Sequence, residues 1–222
     1  MATLPMAANA NPDKVPATYR TAYVPDGYDS NDHVQIVGEG VFKNSCYRPA
    51  ETTVKVDTEK KQITLGPAAY QYGGFCLQLV LPFDRVVDVG VVPAGTYQVI
   101  QSPDNTVIGQ FTVKPNLTES PDEYLYAPVQ QAFFKQKGAK VEVALTGEFP
   151  NSCMKLKETR LEVQDKALVV LPIAEMEERG DCKAGSFPFS KIVSAELVKP
   201  GRYLLHVRSM NAKAVNTLVD VK

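Results

Sequence analysis

The chain repeats itself. Gly40-Val41-Phe42-Lys43-Asn44-Ser45-Cys46 returns as Gly147-Glu148-Phe149-Pro150-Asn151-Ser152-Cys153, at an offset of 153 − 46 = 107. Val34 and Ile36 fall on Val141 and Val143 at that offset, and Val54 and Val56 fall on Leu161 and Val163. One residue is then lost. At 182 − 76 = 106, Cys76 falls on Cys182, Phe83 on Phe189, Gly95-Thr96-Tyr97 on Gly201-Arg202-Tyr203 and Val113 on Val219. Self-similarity this long, with a single gap, marks a folding unit used twice. Tyr23-Val24-Pro25 and Tyr126-Ala127-Pro128 stand before the first strand of each copy. The expected layout is a flexible segment over 1–17, a first unit over 18–114, a polar, proline-bracketed linker over 115–125 and a second unit over 126–222.

Period-two alternation predicts short strands in each copy. In the first they are His33–Gly38, Thr52–Asp57, Gln62–Gly66, Cys76–Leu81, Arg85–Gly90, Thr96–Gln101 and Val107–Val113. In the second they are Lys140–Thr146, Thr159–Gln164, Ala167–Leu171, Lys191–Glu196, Arg202–Ser209 and Val215–Val221, with a weak strand near Cys182. So many short strands in so few residues predict an all-β protein of two tandem β-sandwiches. Pro93-Ala94-Gly95-Thr96-Tyr97 and Lys199-Pro200-Gly201-Arg202-Tyr203 resemble the tyrosine-corner stretch of immunoglobulin-like folds. Val99 and Leu205 stand where antibody domains carry a cysteine, and the chain has no Trp. The resemblance is therefore to the sandwich class and not to an antibody domain.

Four cysteines allow three pairings. If each copy folds alone, the pairs are Cys46–Cys76 and Cys153–Cys182, within an oxidising compartment. Each closes a loop of about 30 residues, worth about 3–4 kcal/mol in the chain-entropy model. A metal site would need closely spaced ligands such as Cys-x-x-Cys, and the sequence has none.

A net charge of −1 gives no general drive toward nucleic acid or anionic lipid. No apolar run reaches the roughly 18 residues that a membrane-spanning helix needs. Ala7, Ala8 and Ala10 resemble the end of a cleavage region, so a secretory signal is expected to have been removed upstream. The nucleophile-elbow, zincin, phosphate-loop and dinucleotide motifs are absent. The two histidines, His33 and His206, occupy strand-like runs and read as structural. Asp29-Ser30-Asn31-Asp32 lacks the spacing of a calcium loop and reads as a solvated turn. Asn116-Leu117-Thr118 fits a glycosylation sequon, which has meaning only in a eukaryotic secretory pathway.

The shared Asn-Ser-Cys reads as scaffold, because Asn and Ser close local turns onto the backbone. The copies diverge just before the second cysteine. The first has Tyr70-Gln71-Tyr72-Gly73-Gly74-Phe75, and the second has Glu175-Met176-Glu177-Glu178-Arg179-Gly180-Asp181. Tyr70, Tyr72 and Phe75, with Tyr47 drawn in by the disulfide, are the candidate binding residues, since tyrosines on a rigid sandwich suit recognition. Phe133 and Phe134 are expected to pack in the core or between the units.

Gly-x-Phe-x-Asn-Ser-Cys, a later Cys with Pro-Phe beyond it, and Pro-x-Gly-x-Tyr together resemble secreted or periplasmic bacterial proteins with small immunoglobulin-like domains. The resemblance implies export and a sandwich, and no activity. The resulting expectation is an exported, non-enzymatic binding or structural module without cofactors, its partner an unidentified protein or glycan. A secreted inhibitor or glycan-binding protein is the second expectation. A hydrolase using carboxylates or a histidine in a cleft between the copies is the third.

Overall fold

The computed structural model describes residues 11–116, 124–178, 180–196 and 198–222. The expected signal remnant and the middle of the expected linker fall outside them. Every regular element among the described residues is a strand. The first unit contains β1 (Asp13–Pro16), β2 (Tyr19–Tyr23), β3 (Val34–Phe42), β4 (Tyr47–Pro49), β5 (Thr53–Asp57), β6 (Gln62–Gly66), β7 (Ala68–Gln71), β8 (Leu81–Gly90), β9 (Gly95–Gln101) and β10 (Thr106–Val113). The second contains β11 (Val129–Lys137), β12 (Lys140–Asn151), β13 (Met154–Val163), β14 (Ala167–Met176), β15 (Ala184–Ala195), β16 (Gly201–Ser209) and β17 (Lys213–Val221).

Each unit is a β-sandwich with one disulfide, Cys46–Cys76 or Cys153–Cys182. One layer is β2–β3–β8 in the first unit and β11–β12–β15 in the second. The other is β5–β6–β9–β10 and, in matching order, β13–β14–β16–β17. β6–β9 and β14–β16 are the parallel pairs, so register can be compared across units. The first unit adds a small sheet, β1–β7–β4, which the longer β13 and β14 replace in the second. Alternation builds the cores: Val34 and Ile36 of β3 point inward onto Ile63, Leu65, Tyr97 and Val99. Val141, Val143 and Leu145 of β12 point onto Leu168, Val170, Leu205 and Val207.

The repeated motifs are scaffold. A Cβ at Gly40 would collide with the carbonyl of Thr18, and one at Gly147 with that of Pro128. Those glycines let the neighbouring strand bend in, beside register shifts after Tyr19 and Val129. The motif phenylalanines stack on the later ones, Phe42 on Phe83 at 4.0 Å and Phe149 on Phe189 at 4.5 Å between centroids. Asn44 Oδ1 accepts the Cys46 N–H at 3.0 Å, and Asn151 Oδ1 accepts the Cys153 N–H at 3.0 Å. Ser45 Oγ accepts the Leu77 N–H at 2.9 Å, and Ser152 Oγ accepts the Lys183 N–H at 3.0 Å. Both tyrosine corners are present: Tyr97 donates to the Pro93 carbonyl at 2.8 Å and Tyr203 to that of Lys199 at 3.0 Å.

Several expectations need correction. Asp13–Pro16, placed in the flexible segment, forms β1 against β7. Cys76–Leu81 is not a strand up to Val80, and Cys182 also lies in a loop. Cys76-Leu77-Gln78-Leu79-Val80 pairs with no strand, and its apolar residues face solvent. The repeat has more gaps than one. Ile63 opposite Val99 and Leu168 opposite Leu205 put Ile63 and Leu168 in register, at 168 − 63 = 105. Val113 matches Val221, opposite Gly95 and Gly201, and not Val219. A bulge between Val107 and Gly109 separates the final strands. Tyr23 matches Phe133 and not Tyr126, because Tyr23 sits opposite Val37 and Phe133 opposite Ala144.

The outer face of β2–β3–β8 packs on the outer face of β14 and β16. Tyr23 and Val37 meet Ala167, Val169 and Leu204 in a buried apolar cluster. Polar pairs surround it. Arg208 forks Asp32, Nη1 to Oδ1 at 2.9 Å and Nη2 to Oδ2 at 3.0 Å. Arg202 Nε donates to Glu39 Oε1 at 3.0 Å, Asn216 Nδ2 to Gln35 Oε1 at 2.8 Å and the Asp26 N–H to Gln164 Oε1 at 2.8 Å. The Asp29–Asp32 segment is a turn, as expected, but it is not solvated. Both aspartates are buried, and the Asp29 N–H donates to Asp32 Oδ2 at 2.9 Å.

Candidate functional site

The segment between β7 and β8 is the part of the first unit least like its counterpart. It is irregular but anchored. The Tyr72 N–H donates to the Cys46 carbonyl at 2.9 Å, the Ser45 N–H to the Leu77 carbonyl at 3.1 Å, and the disulfide ties its middle. Gly74 adopts φ +107°, a conformation that side chains with a Cβ rarely enter. The glycine turn pushes its neighbours outward. Phe75 is 91% exposed, Tyr72 45% and Tyr70 36%, and Leu77, Leu79 and Val80 are exposed beside them. A single exposed apolar residue is ordinary, but six within eleven positions on a stapled loop form a patch.

Tyr70 adds a second component. On β7 it lies opposite Lys14 of β1 on one side and Arg48 of β4 on the other. All three are exposed, so Tyr70 shares a row with two basic residues on the outer face. Arg48 is held by its Nη1 donating to the carbonyls of Ser45 at 3.0 Å and Tyr47 at 2.8 Å. In the second unit, pairing of Met154 with Met176 puts Lys155 and Glu175 at the places of Arg48 and Tyr70. Lys155 also pairs with Glu177, and these contacts raise its pKa, Glu177 first. One surface thus presents unpaired rings, and the other presents charges that neutralise one another.

Tyr47 stands apart from the other candidate residues. It pairs with Gln71 and so faces the opposite side of the sheet from Tyr70. It is half-buried and stacks on Phe42 at 5.6 Å between centroids. A shallow cavity of about 240 Å³ opens beside Phe42, Tyr47 and Ala69.

The histidines do not converge. His33 lies exposed in the turn before β3, not in a strand, because the Asp29–Asp32 turn occupies that stretch. His206 is buried in β16, with Nδ1 2.7 Å from Asn216 Oδ1. Asn216 uses its amide N–H on Gln35, so the neutral ring donates from Nδ1. Desolvation, then the nearby Arg208 charge, lowers the His206 pKa to about 4. Burial raises the phenol of Tyr28, which lies under the Arg208 guanidinium, to about 12. A groove of about 300 Å³ between the units is lined by Asp29, Tyr124, Arg160, Glu162 and Arg208 among others, with no histidine. Among the described residues, no group of three or more His, Cys, Asp or Glu is placed to hold a metal. Asn116, in the sequon, shares hydrogen bonds with Ser30.

Phe133 is exposed on the outer face of β11 and not packed between the units, while the neighbouring Phe134 packs on the second core.

The described fold and surface define a tandem β-sandwich protein. A family model described as the ORF11 β-sandwich domain matches residues 36–113, so the first unit resembles that domain from β3 to β10. No curated protein and no solved structure matches the chain.

Proposed function

We propose that the chain is an exported, non-enzymatic binding module that contacts an extracellular or periplasmic protein or glycan through Tyr70, Tyr72 and Phe75. The observation that carries this reading is Phe75 held 91% exposed on a loop fixed by a disulfide and three backbone or serine hydrogen bonds. Rigid aromatic rings give large contact area at low cost in conformational entropy. Flanking cations at Lys14 and Arg48 favour an acidic or sugar-rich contact, since rings stack on sugars and guanidinium groups bind carboxylates. Two disulfides support an oxidising compartment, and among the described residues no helix is long and apolar enough to cross a membrane.

The test is a glycan array and a protease-inhibition panel, run with the wild-type chain and with Tyr72→Ala/Phe75→Ala. A hit on the array assigns a glycan ligand, and a hit on the panel assigns the inhibitor reading. A hit that the double variant retains at full strength would remove the loop from the account.

A further inference from the structure

The two units meet head to tail. The first offers the outer face of β2–β3–β8, where Tyr23, Val37 and Val86 form one row across three strands. The second offers Ala167, Leu204 and Leu218 in one row of β14–β16–β17. Tyr23, Val37, Ala167 and Leu204 are buried in that contact, while Val86, at the end of its row, stays 47% exposed.

Each unit carries both kinds of face, so the contact leaves one of each open. On the second unit, Phe133, Ala144 and Ile192 form the row across β11–β12–β15 that corresponds to Tyr23–Val37–Val86. Phe133 is 52% exposed and Ile192 64%. On the first unit, Gln62, Gln98 and Gln110 form the row that corresponds to Ala167–Leu204–Leu218. The two open faces do not match. Stacking a second copy in the same geometry would bury the Gln62 and Gln98 amides against Phe133 and Ala144, at the cost of unpaired polar groups. The first unit's open face is built for water, and the second unit's open face retains an apolar row.

We propose that the outer face of β11–β12–β15 docks the aliphatic sheet face of a further β-sandwich unit from another polypeptide, in the arrangement that β2–β3–β8 uses for β14 and β16. Its occupant carries Ala, Val or Leu where this chain's first unit carries Gln62, Gln98 and Gln110. The contact is heterologous, so a chain of such units grows in one direction and stops where a glutamine face is reached. It is independent of the loop around Phe75.

The proposal is tested with the full chain in two forms. A donor carries Gln62→Ala, Gln98→Leu and Gln110→Leu, which supply the aliphatic row, plus Ile192→Lys and Phe133→Lys, which close its own accepting face. The acceptor is the isotopically labelled wild-type chain, and amide shifts are followed during titration with donor. The expected result is saturable perturbation confined to β11, β12 and β15, weakened at least tenfold by Phe133→Lys in the acceptor. No perturbation at millimolar donor, or perturbation elsewhere, overturns the proposal, provided that both chains show cooperative thermal unfolding. A donor that fails to fold is replaced by one with Gln98→Leu and Gln110→Leu only, read the same way. A wild-type dimer that Phe133→Lys converts to monomer would assign the face to a second copy and also overturn the proposal.

Discussion

Arg208 of β16 forks Asp32 of the turn before β3, with both guanidinium–carboxylate bonds at 2.9–3.0 Å and both side chains nearly buried. The pair joins residues 176 positions apart and lies where the two sandwiches meet. Desolvating two charges is costly, and the fork recovers that cost only while both partners are present. Asp32 also holds its own turn by accepting the Asp29 N–H, so losing the carboxylate loosens the turn as well as the interface.

Arg208→Met alone is expected to cost about 3–5 kcal/mol, because it leaves Asp32 charged and buried. Asp32→Leu alone should cost a similar amount. The double variant should be markedly more stable than the sum of the two predicts. A double-mutant cycle in urea measures this coupling.

His206 makes stability depend on pH. The folded protein holds the ring neutral down to about pH 4, whereas the unfolded chain protonates near 6.5. A lowered folded pKa in a base means that the unfolded state takes up the proton first. The stabilisation is therefore complete above about pH 6.5 and is lost as pH falls toward 4, by up to about 3 kcal/mol. His206→Gln should flatten this part of the profile, measured by unfolding at pH 7.5 and 4.5.

The tyrosine corners are equivalent pins at the start of β9 and β16. Tyr97→Phe and Tyr203→Phe remove only the hydroxyl, leaving the Pro93 or Lys199 carbonyl without that donor. Each should cost about 1 kcal/mol in denaturant unfolding. Near-zero cost at both sites would mean that water replaces the hydroxyl.

Removing one disulfide, as Cys46→Ala/Cys76→Ala, should cost about 3–4 kcal/mol through loop-closure entropy. Amide exchange should then rise over Tyr72–Val80, where the loop loses its central tie. Asn44→Ala, which deletes the cap on the Cys46 N–H, should act in the same direction with a smaller effect.

The pairing of the cysteines and the tyrosine corners were legible because local spacing encodes them, and the repeat supplied each motif twice. The hairpin strand Gln62–Gly66 was legible to the residue, since Ile63 and Leu65 face the core and Gln62 and Thr64 face out. Cys76–Leu81 misled because its apolar residues imitate a strand, whereas Leu77 bonds to Ser45 in a turn and no strand pairs with residues 76–80. The docking of the units was not read, although a signal was present. β14 runs Ala167-Leu168-Val169-Val170-Leu171 where β6 alternates, and Leu204 replaces Gln98 in β16. Loss of alternation means burial on both faces. Asp32 and Arg208 carried no such signal, because nothing in their sequence surroundings shows that the fold brings them together.

The central claim is that the stapled aromatic loop is a contact surface and not a structural cap. Its most direct measurement compares the stability and ligand response of the wild-type chain with Tyr72→Ala/Phe75→Ala. The account predicts unfolding free energies equal within about 0.5 kcal/mol, as for exposed positions. It also predicts at least a tenfold loss of response on the array or panel. Marked destabilisation with an undiminished response would show that the rings support the fold, and would contradict the account.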